Sequence, residues 1–340
     1  MKARGKQTAA VFAGLLVIVL LAAVFAAQRR AMRDEARREE ERKTIAVSTI
    51  GPTHAWAGSV MYYAEEKLKE VSEENGWDYV CKAADNSYEQ SQQLVELVEQ
   101  DVDCIIMLPM DGASLKTAAI TVQDAEIPLI IFDREIPEFA PTATVKGDNR
   151  GIGVETARFF NNYFPDGTTV LELMGDTSTV PFLRTDGFDN TIHDSFTKIQ
   201  VGYTEWQRAY TRKLFEDWVE QQEQETLDAV GAIFTHDDEI ALGVLDVLDA
   251  YREDGTLEQI FPNLEVIAGS SASKEMYARI AEEEYFTLFS MTYVPQMMGR
   301  AVETGAAVLK GEDYNEMTII PTVLVNKNNV EEYVDMNLPF

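Results

Sequence analysis

From Lys43 onward, short apolar runs alternate with longer segments whose apolar residues recur every three or four positions. Runs such as 103–109 (DCIIMLP), 128–132 (PLIIF) and 229–235 (AVGAIFT) have no polar face, as expected of strands buried on both sides of a sheet. Segments such as 88–100 (YEQSQQLVELVEQ) carry the helical period instead. In order, strand 44–50 leads to helix 57–74, strand 77–83, helix 88–100, strand 103–109, helix 112–125 and strand 128–132. After a short bridge at 142–149 the alternation restarts with helix 150–163, strand 168–175, helix 182–195, strand 198–204 and helix 208–224. Strand 229–235, helix 237–251, strand 264–269, helix 273–281 and strand 286–292 follow; helix 295–309 and a terminal strand, 317–325, complete it. This alternation predicts right-handed βαβ units and parallel sheets. The fold class is α/β: two doubly wound lobes joined by a crossover, with a cleft between them.

Upstream of the alternation, residues 8–27 form an uncharged apolar stretch about as long as a bilayer-spanning helix. Two readings fit it: a secretory signal peptide cut near Ala26, or an uncleaved transmembrane anchor. The run exceeds the apolar core of a usual signal, and no cysteine follows to carry a lipid, which favours the anchor. Lys2, Arg4 and Lys6 then put residues 1–7 in the cytoplasm, while Arg29, Arg30 and Arg33 pull against that orientation. Residues 28–43 mix both signs densely and read as a solvated helical stalk. The chain has 58 acidic and 29 basic residues, a formal net charge of −29, which repels phosphate backbones and excludes nucleic acid as a partner. Cys81 and Cys104 sit in strand-like segments and read as buried thiols. The three histidines lack metal-ligand spacing, and neither a metal nor a cofactor is expected.

Ligands of open α/β sheets sit beyond the carboxyl ends of the strands, so the candidate chemistry lies there. Strand 128–132 ends in Asp133 and Arg134, an acceptor of hydroxyl hydrogen bonds beside a planar fork of donors. That mixture suits an uncharged, polyhydroxylated ligand; alone, the dipeptide also reads as an ion pair capping a loop. After the first strand come His54 and Trp56, whose indole either packs on its own helix or offers a flat face to a sugar. In the second half, Arg184 stands near a helix start that favours anions, which assigns it a ligand or carboxylate; Asp186 is the surface alternative. Trp206 and Gln207 follow strand 198–204, putting a second tryptophan on the facing lobe. Of Asp237 and Asp238 at a helix N-terminus, one is a cap and Asp237 is the candidate for the ligand. Ser270 and Ser271 either bond a ligand or cap the next helix, and Tyr293 and Gln296 add polar groups near the last crossover. No nucleophile–base set or phosphate loop occurs, and His193 reads as a structural residue inside helix 182–195, so an enzyme is not supported.

The segments IFDREIP (131–137), VKGDNRGIG (145–153), ELMG to LRTDGF (172–188), AIFTHDDEIALG (232–243), VETGAAVLKGE (302–312) and IIPTVLV (319–325) carry a resemblance. In order and spacing, residues 44–326 resemble the type I periplasmic binding proteins, specifically the ribose/galactose-like group that serves ABC importers. The resemblance implies ligand contacts from Asp133, Arg134, Arg184, Trp206 and Asp237, and a hinge or lobe-bridging role for Asp148. It also implies two lobes, 44–146 with 293–318 and 147–292 with 319–340, closing about three chain crossings. The chain departs from the group where Ser270 stands for an aspartate, Tyr293 for a glutamine, and residues 53–56 (THAW) for an Asn-Pro-aromatic-aromatic run. These changes bear on which sugar fits and make ribose itself a poorer match.

The function so implied is an extracytoplasmic monomer, held behind an N-terminal membrane helix, that captures a monosaccharide or related polyol and delivers it to an ABC permease. The alternative is a membrane-anchored sugar receptor that signals to a two-component sensor kinase, kept open by the missing lipid-carrying cysteine. A cytosolic repressor of the same fold would need an N-terminal helix-turn-helix where this chain has an apolar stretch.

Overall fold

The structure, a computed structural model, describes residues 42–52 and 55–334, together with 25, 28–30 and 32. The predicted spanning segment at 8–27 and the stalk at 28–43 lie largely outside the described residues, and His54 lies wholly outside them. Among the described residues no helix is long and apolar enough to cross a membrane.

Two six-stranded sheets organise the described residues. The strands are β1 (Thr44–Ile50), β2 (Asp78–Ala84), β3 (Cys104–Met107), β4 (Leu129–Phe132), β5 (Ala143–Gly147) and β6 (Thr169–Met174), continuing with β7 (Thr197–Tyr203), β8 (Val230–Thr235), β9 (Val266–Ser270), β10 (Thr287–Met291), β11 (Met317–Ile320) and β12 (Leu324–Asn326). The first sheet runs β11-β5-β4-β3-β1-β2 and the second β12-β10-β9-β8-β6-β7. All pairings are parallel except β10 with β12. Central strands β3, β4, β6 and β8 are buried at every position, which is why their sequences are nearly unbroken apolar runs. Edge strands β2 and β7 are partly exposed and mix in Lys82, Lys198 and Gln200, a composition that discourages pairing with another chain. One apolar cluster, with Phe132 and Met298 from the first lobe and Phe160, Phe188 and Phe289 from the second, runs from lobe to lobe.

The structure departs from the sequence expectation in four places. The bridge at 142–149 contains β5, a full member of the first sheet paired with β4 and β11. The terminal strand 317–325 is two strands in different sheets, β11 and β12, divided by Pro321, which has no N–H for a ladder. Ile319 and Ile320 therefore pair in the first sheet, so the lobe boundary falls after Ile320, two residues beyond the expected one. The helix expected at 182–195 is Thr179–Asp189, leaving His193 exposed in a turn.

Three crossings connect the lobes: one at Asp148, one at 292–296, and one at 321–323. They are bonded side by side: the Asp148 amide donates to the Ile320 carbonyl at 2.9 Å, and the Thr292 amide to that of Val323 at 2.9 Å. The Asp148 carboxylate also caps the helix Asn149–Tyr163, accepting from the Gly151 amide at 2.7 Å.

That helix lies in backbone contact with Thr179–Asp189, which glycines permit. A Cβ on Gly153 would stand 1.9 Å from the Arg184 carbonyl oxygen, and one on Gly187 2.2 Å from that of Arg150. Beneath the helix pair, buried Glu172 accepts from Thr185 at 2.6 Å and Gln200 at 3.0 Å, pairs with Lys198 at 2.9 Å, and meets the His236 ring at 3.2 Å. Asp238, equally buried, fastens the strand ends: it accepts from Ser290 Oγ at 2.7 Å and from the Ser273 amide at 2.8 Å. Burial pushes the Asp238 carboxyl up to about 6 against those bonds. Burial opposes the Glu172 charge too, but His236, Lys198 and Thr185 outweigh it and hold that carboxyl down at about 2.

Gly187→Ala should force the two helices apart and cost about 1–3 kcal/mol. Gly299→Ala meets only the Lys67 side chain, at 3.4 Å, and should be neutral or slightly stabilising; equal melting temperatures for the two variants would contradict the close-packing account. The two carboxylates act oppositely with pH. Asp238, raised from 3.8, takes up a proton on folding; its stabilising contribution is full below pH 3.8 and is lost as pH rises through about 6. Glu172, lowered from 4.5, contributes fully above pH 4.5 and loses that as pH falls through about 2. In denaturant melts across the acid range, Asp238→Asn should flatten the gain on acidifying from neutrality, and Glu172→Gln should blunt the loss at the acid end. The opposite pattern would contradict the assignment.

Candidate functional site

The carboxyl ends of both sheets face one small cavity of about 30 Å³. Trp56, Asp133 and Arg134 line it from the first lobe, Val180, Arg184, Trp206 and Asp237 from the second, and Tyr293 from the second crossing. Seven of the residues brought forward from the sequence thus meet in one place. Ser270 stands outside the lining, behind Arg184, and His54 is not described.

Asp133 directly follows β4. Its amide donates to the Val145 carbonyl at 2.9 Å, extending the ladder by one bond. Its backbone then turns into the left-handed region, φ +65°, at a cost of order 1–3 kcal/mol that surrounding structure must offset. The turn leaves the carboxylate in the cavity, where one oxygen accepts from the Tyr293 hydroxyl. Burial raises the Asp133 carboxyl above the ordinary range although Arg134, Tyr293 and Arg184 favour its charge. Burial, reinforced by the Asp133 charge, likewise raises the Tyr293 phenol well above its usual value, so the phenol keeps its proton as donor.

Arg134 reaches sideways. It donates to the Met110 carbonyl at 2.7 Å and pairs with Asp176 at 3.3 Å, across the cleft. Burial works against the Asp176 charge, but Arg134, Ser178 and the Trp206 indole together hold its carboxyl below the ordinary range.

Arg184 is the buried centre of the second-lobe wall, 3% exposed. Nε donates to Asn149 Oδ1 at 3.0 Å, and Nη1 to the Ser270 hydroxyl at 2.9 Å and the His236 carbonyl. Its guanidinium lies 4.9 Å from the Tyr293 ring centroid and 5.7 Å from that of Trp206, a cation–π stack on two rings. The expected alternative partner, Asp186, pairs with Arg150 instead. Trp206, also left-handed at φ +60°, lays its indole against Gly175, where a Cβ would stand 2.2 Å from the ring.

Trp56 does not pack only on its own helix. It stacks on Phe132 at 6.3 Å and 8°, leans on Tyr293 at 5.8 Å, and donates its indole N–H to the Tyr293 carbonyl at 2.8 Å. Asp237 both lines the cavity and caps the helix Asp238–Glu253, accepting from the Glu239 amide at 2.8 Å. The division of labour expected for the acidic pair is therefore different: capping falls to Asp237, and Asp238 secures the turn at Ser271–Ser273. Burial and the Asp238 charge raise the Asp237 carboxyl well above the ordinary range. Gln207 is exposed at its helix start, and Gln296 bonds Tyr63 at 3.1 Å, away from the cavity.

Sequence reasoning missed four participants: Asn149, which bonds both Arg184 and Tyr293; Asp176; Val180; and the His236 carbonyl. Asn149 and Asp176 each carried one usable signal, a polar residue just beyond a strand end. A main-chain carbonyl carries none.

The two-lobed parallel-sheet architecture is that of the type I periplasmic binding proteins. The sequence profile described as a periplasmic binding protein domain matches residues 45–313. The ribose import binding protein RbsB of Bacillus subtilis (strain 168) is 22% identical over 247 residues, 72% of this chain and 75% of RbsB. An ABC transporter solute-binding protein from Bacillus halodurans C-125, solved with bound myo-inositol, superposes with a TM-score of 0.73 at 24% identity, covering 86% of this chain and 97% of that one. The fructose-binding periplasmic domain of a hybrid two-component system superposes with a TM-score of 0.72 at 19% identity, covering 86% of this chain and 93% of that one. With the profile spanning both lobes and the cavity between them, the chain belongs to the periplasmic binding protein domain family.

Proposed function

We propose that this chain captures a monosaccharide or related polyol between its lobes by hinge closure and delivers it to an ABC importer. The observation that carries the reading is the convergence of carboxylates, guanidinium groups and indoles from both lobes on one cavity. Carboxylate oxygens accept hydroxyl hydrogen bonds, the guanidinium fork donates, and indoles cover apolar ring faces. The ligands named for the ribose-binding relative and the myo-inositol-bound neighbour are of the same class. In this reading Asp133, Arg134, Arg184, Trp206, Asp237 and Trp56 hold the ligand, and Ser270 positions Arg184. The Arg134–Asp176 pair acts as a latch of the closed form, and Asp148 sits at the hinge. Ligand favours closure only by contacts it gains there. The protein acts outside the cytoplasmic membrane as a monomer, with residues 8–27 as its anchor and an ABC permease as its partner.

A second reading is a receptor that passes ligand occupancy to a sensor kinase. It is favoured by the apolar stretch without a following cysteine, and by the fold shared with the fructose-binding domain of a hybrid two-component system.

A thermal-shift panel of pentoses, hexoses, deoxysugars and polyols on the full-length chain tests the binding class. A ligand at about a hundred times its dissociation constant should add about 2.7 kcal/mol to folded stability. Asp133→Ala and Arg184→Ala should each weaken that ligand roughly ten- to a hundredfold, as expected for a hydrogen bond to a charged group. Gln207→Ala, exposed beside Trp206, should bind as before. Unchanged affinity in both site variants would sink the assignment. Co-purification with a permease–ATPase pair supports import; a histidine kinase in its place supports the receptor reading.

A further inference from the structure

Tyr293 lines the cavity between the two lobes. The side chain comes from a chain crossing and is held on every side. Its ring lies against the bare backbone of Gly147, where a Cβ would stand 2.1 Å from Cε2. Trp56 leans on it at 5.8 Å, and the Arg184 guanidinium covers it at 4.9 Å. The hydroxyl donates to Asp133 and accepts from Asn149 at 3.0 Å, and the main-chain carbonyl accepts the Trp56 indole N–H at 2.8 Å. With this ring in place the cavity measures about 30 Å³, against the roughly 300 Å³ or more of a pocket for a drug-sized ligand.

We infer that Tyr293 determines the specificity of the site: it is a fixed partition that restricts the ligand to compact polyols and takes one oxygen of Asp133 for itself. The inference rests on the proposed binding function. Parting of the lobes carries Arg184 and Asp237 away and makes room on their side. It makes none beside Asp133, because Tyr293 is tied to Asp133 and packed on Gly147 in the first lobe, and meets Asn149 right beside the Asp148 crossing. The ligand that fits is a short polyol or a pentose that presents hydroxyls to the remaining oxygen of Asp133 and to Asp237. A hexose or a cyclitol has to put its additional carbon and hydroxyl where the Tyr293 ring stands, against Gly147 and Asp133.

Titration calorimetry of the full-length chain with erythritol, D-xylose, myo-inositol and D-glucose tests this. The wild type should rank the two compact ligands first. Tyr293→Ala should raise the affinity for myo-inositol and D-glucose, relative to the compact pair, by roughly tenfold or more. Tyr293→Phe keeps the ring and should keep the wild-type ranking. Where the alanine variant does not fold, Tyr293→Gln removes the ring while keeping a donor for Asp133, and should shift the ranking in the same way. Parallel weakening of every ligand in Tyr293→Phe would mark the hydroxyl as a ligand contact and overturn the inference. A ringless variant that binds with the wild-type ranking would also overturn it, while leaving the proposed function standing. Silence of the wild type and all variants towards all four ligands removes both.

Discussion

A buried guanidinium keeps its charge and has to be satisfied where it stands; Arg184 sets that requirement for the middle of this protein. Its partners are an amide oxygen from Asn149, a hydroxyl from Ser270, the main-chain carbonyl of His236 and the faces of Tyr293 and Trp206. Burial disfavours its charge, and the field of Tyr293, Asp237, Asp133 and Asp238 opposes that effect. These partners come from the first helix of the second lobe, the ends of three strands of the second sheet (β7, β8 and β9) and a chain crossing. The Arg184 position is therefore shared information: moving the helix pair, the β8 and β9 ends or the crossing displaces the same cation.

The same reasoning explains why Asp133 and Asp237 are raised while Glu172, behind them, is not. Asp133 and Asp237 are buried on a small cavity, and burial outweighs their positive neighbours. Glu172, as buried as they are, has Lys198, His236 and Thr185 in direct contact and stays charged. Carboxylates left short of partners in this way gain from an incoming hydroxyl. The left-handed backbones of Asp133 and Trp206 are part of the same arrangement: each residue leaves a strand end at positive φ and lines the cavity.

Much of the fold was legible because burial on both faces writes itself as unbroken apolar runs, as in β4 (LIIF) and β8 (VGAIFT). β5 (ATVKG) escaped because five residues holding a lysine and a glycine show no such run, although the strand lies inside the sheet. The division of 317–325 was written in Pro321, but periodicity alone cannot say that its two halves join different sheets. At the site, the sequence marked which residues lie beyond the strand ends, since that position follows from the order of strand and helix. It did not show what they would bond. Tyr293 bonds Asp133, Ser270 supports Arg184, and Asp237 is itself the cap, because each outcome depends on atoms brought together from distant parts of the chain.

The central claim is that one small polyol bridges the two lobes at this cavity. Hydrogen–deuterium exchange of the full-length chain, with and without a mixture of pentoses, hexoses and polyols, tests it most directly. The account predicts simultaneous protection at 131–135 in the first lobe and at 180–186 and 235–239 in the second, together with the crossings at 148 and 292–296. Protection confined to one lobe, or centred on a groove remote from these strand ends, would contradict it.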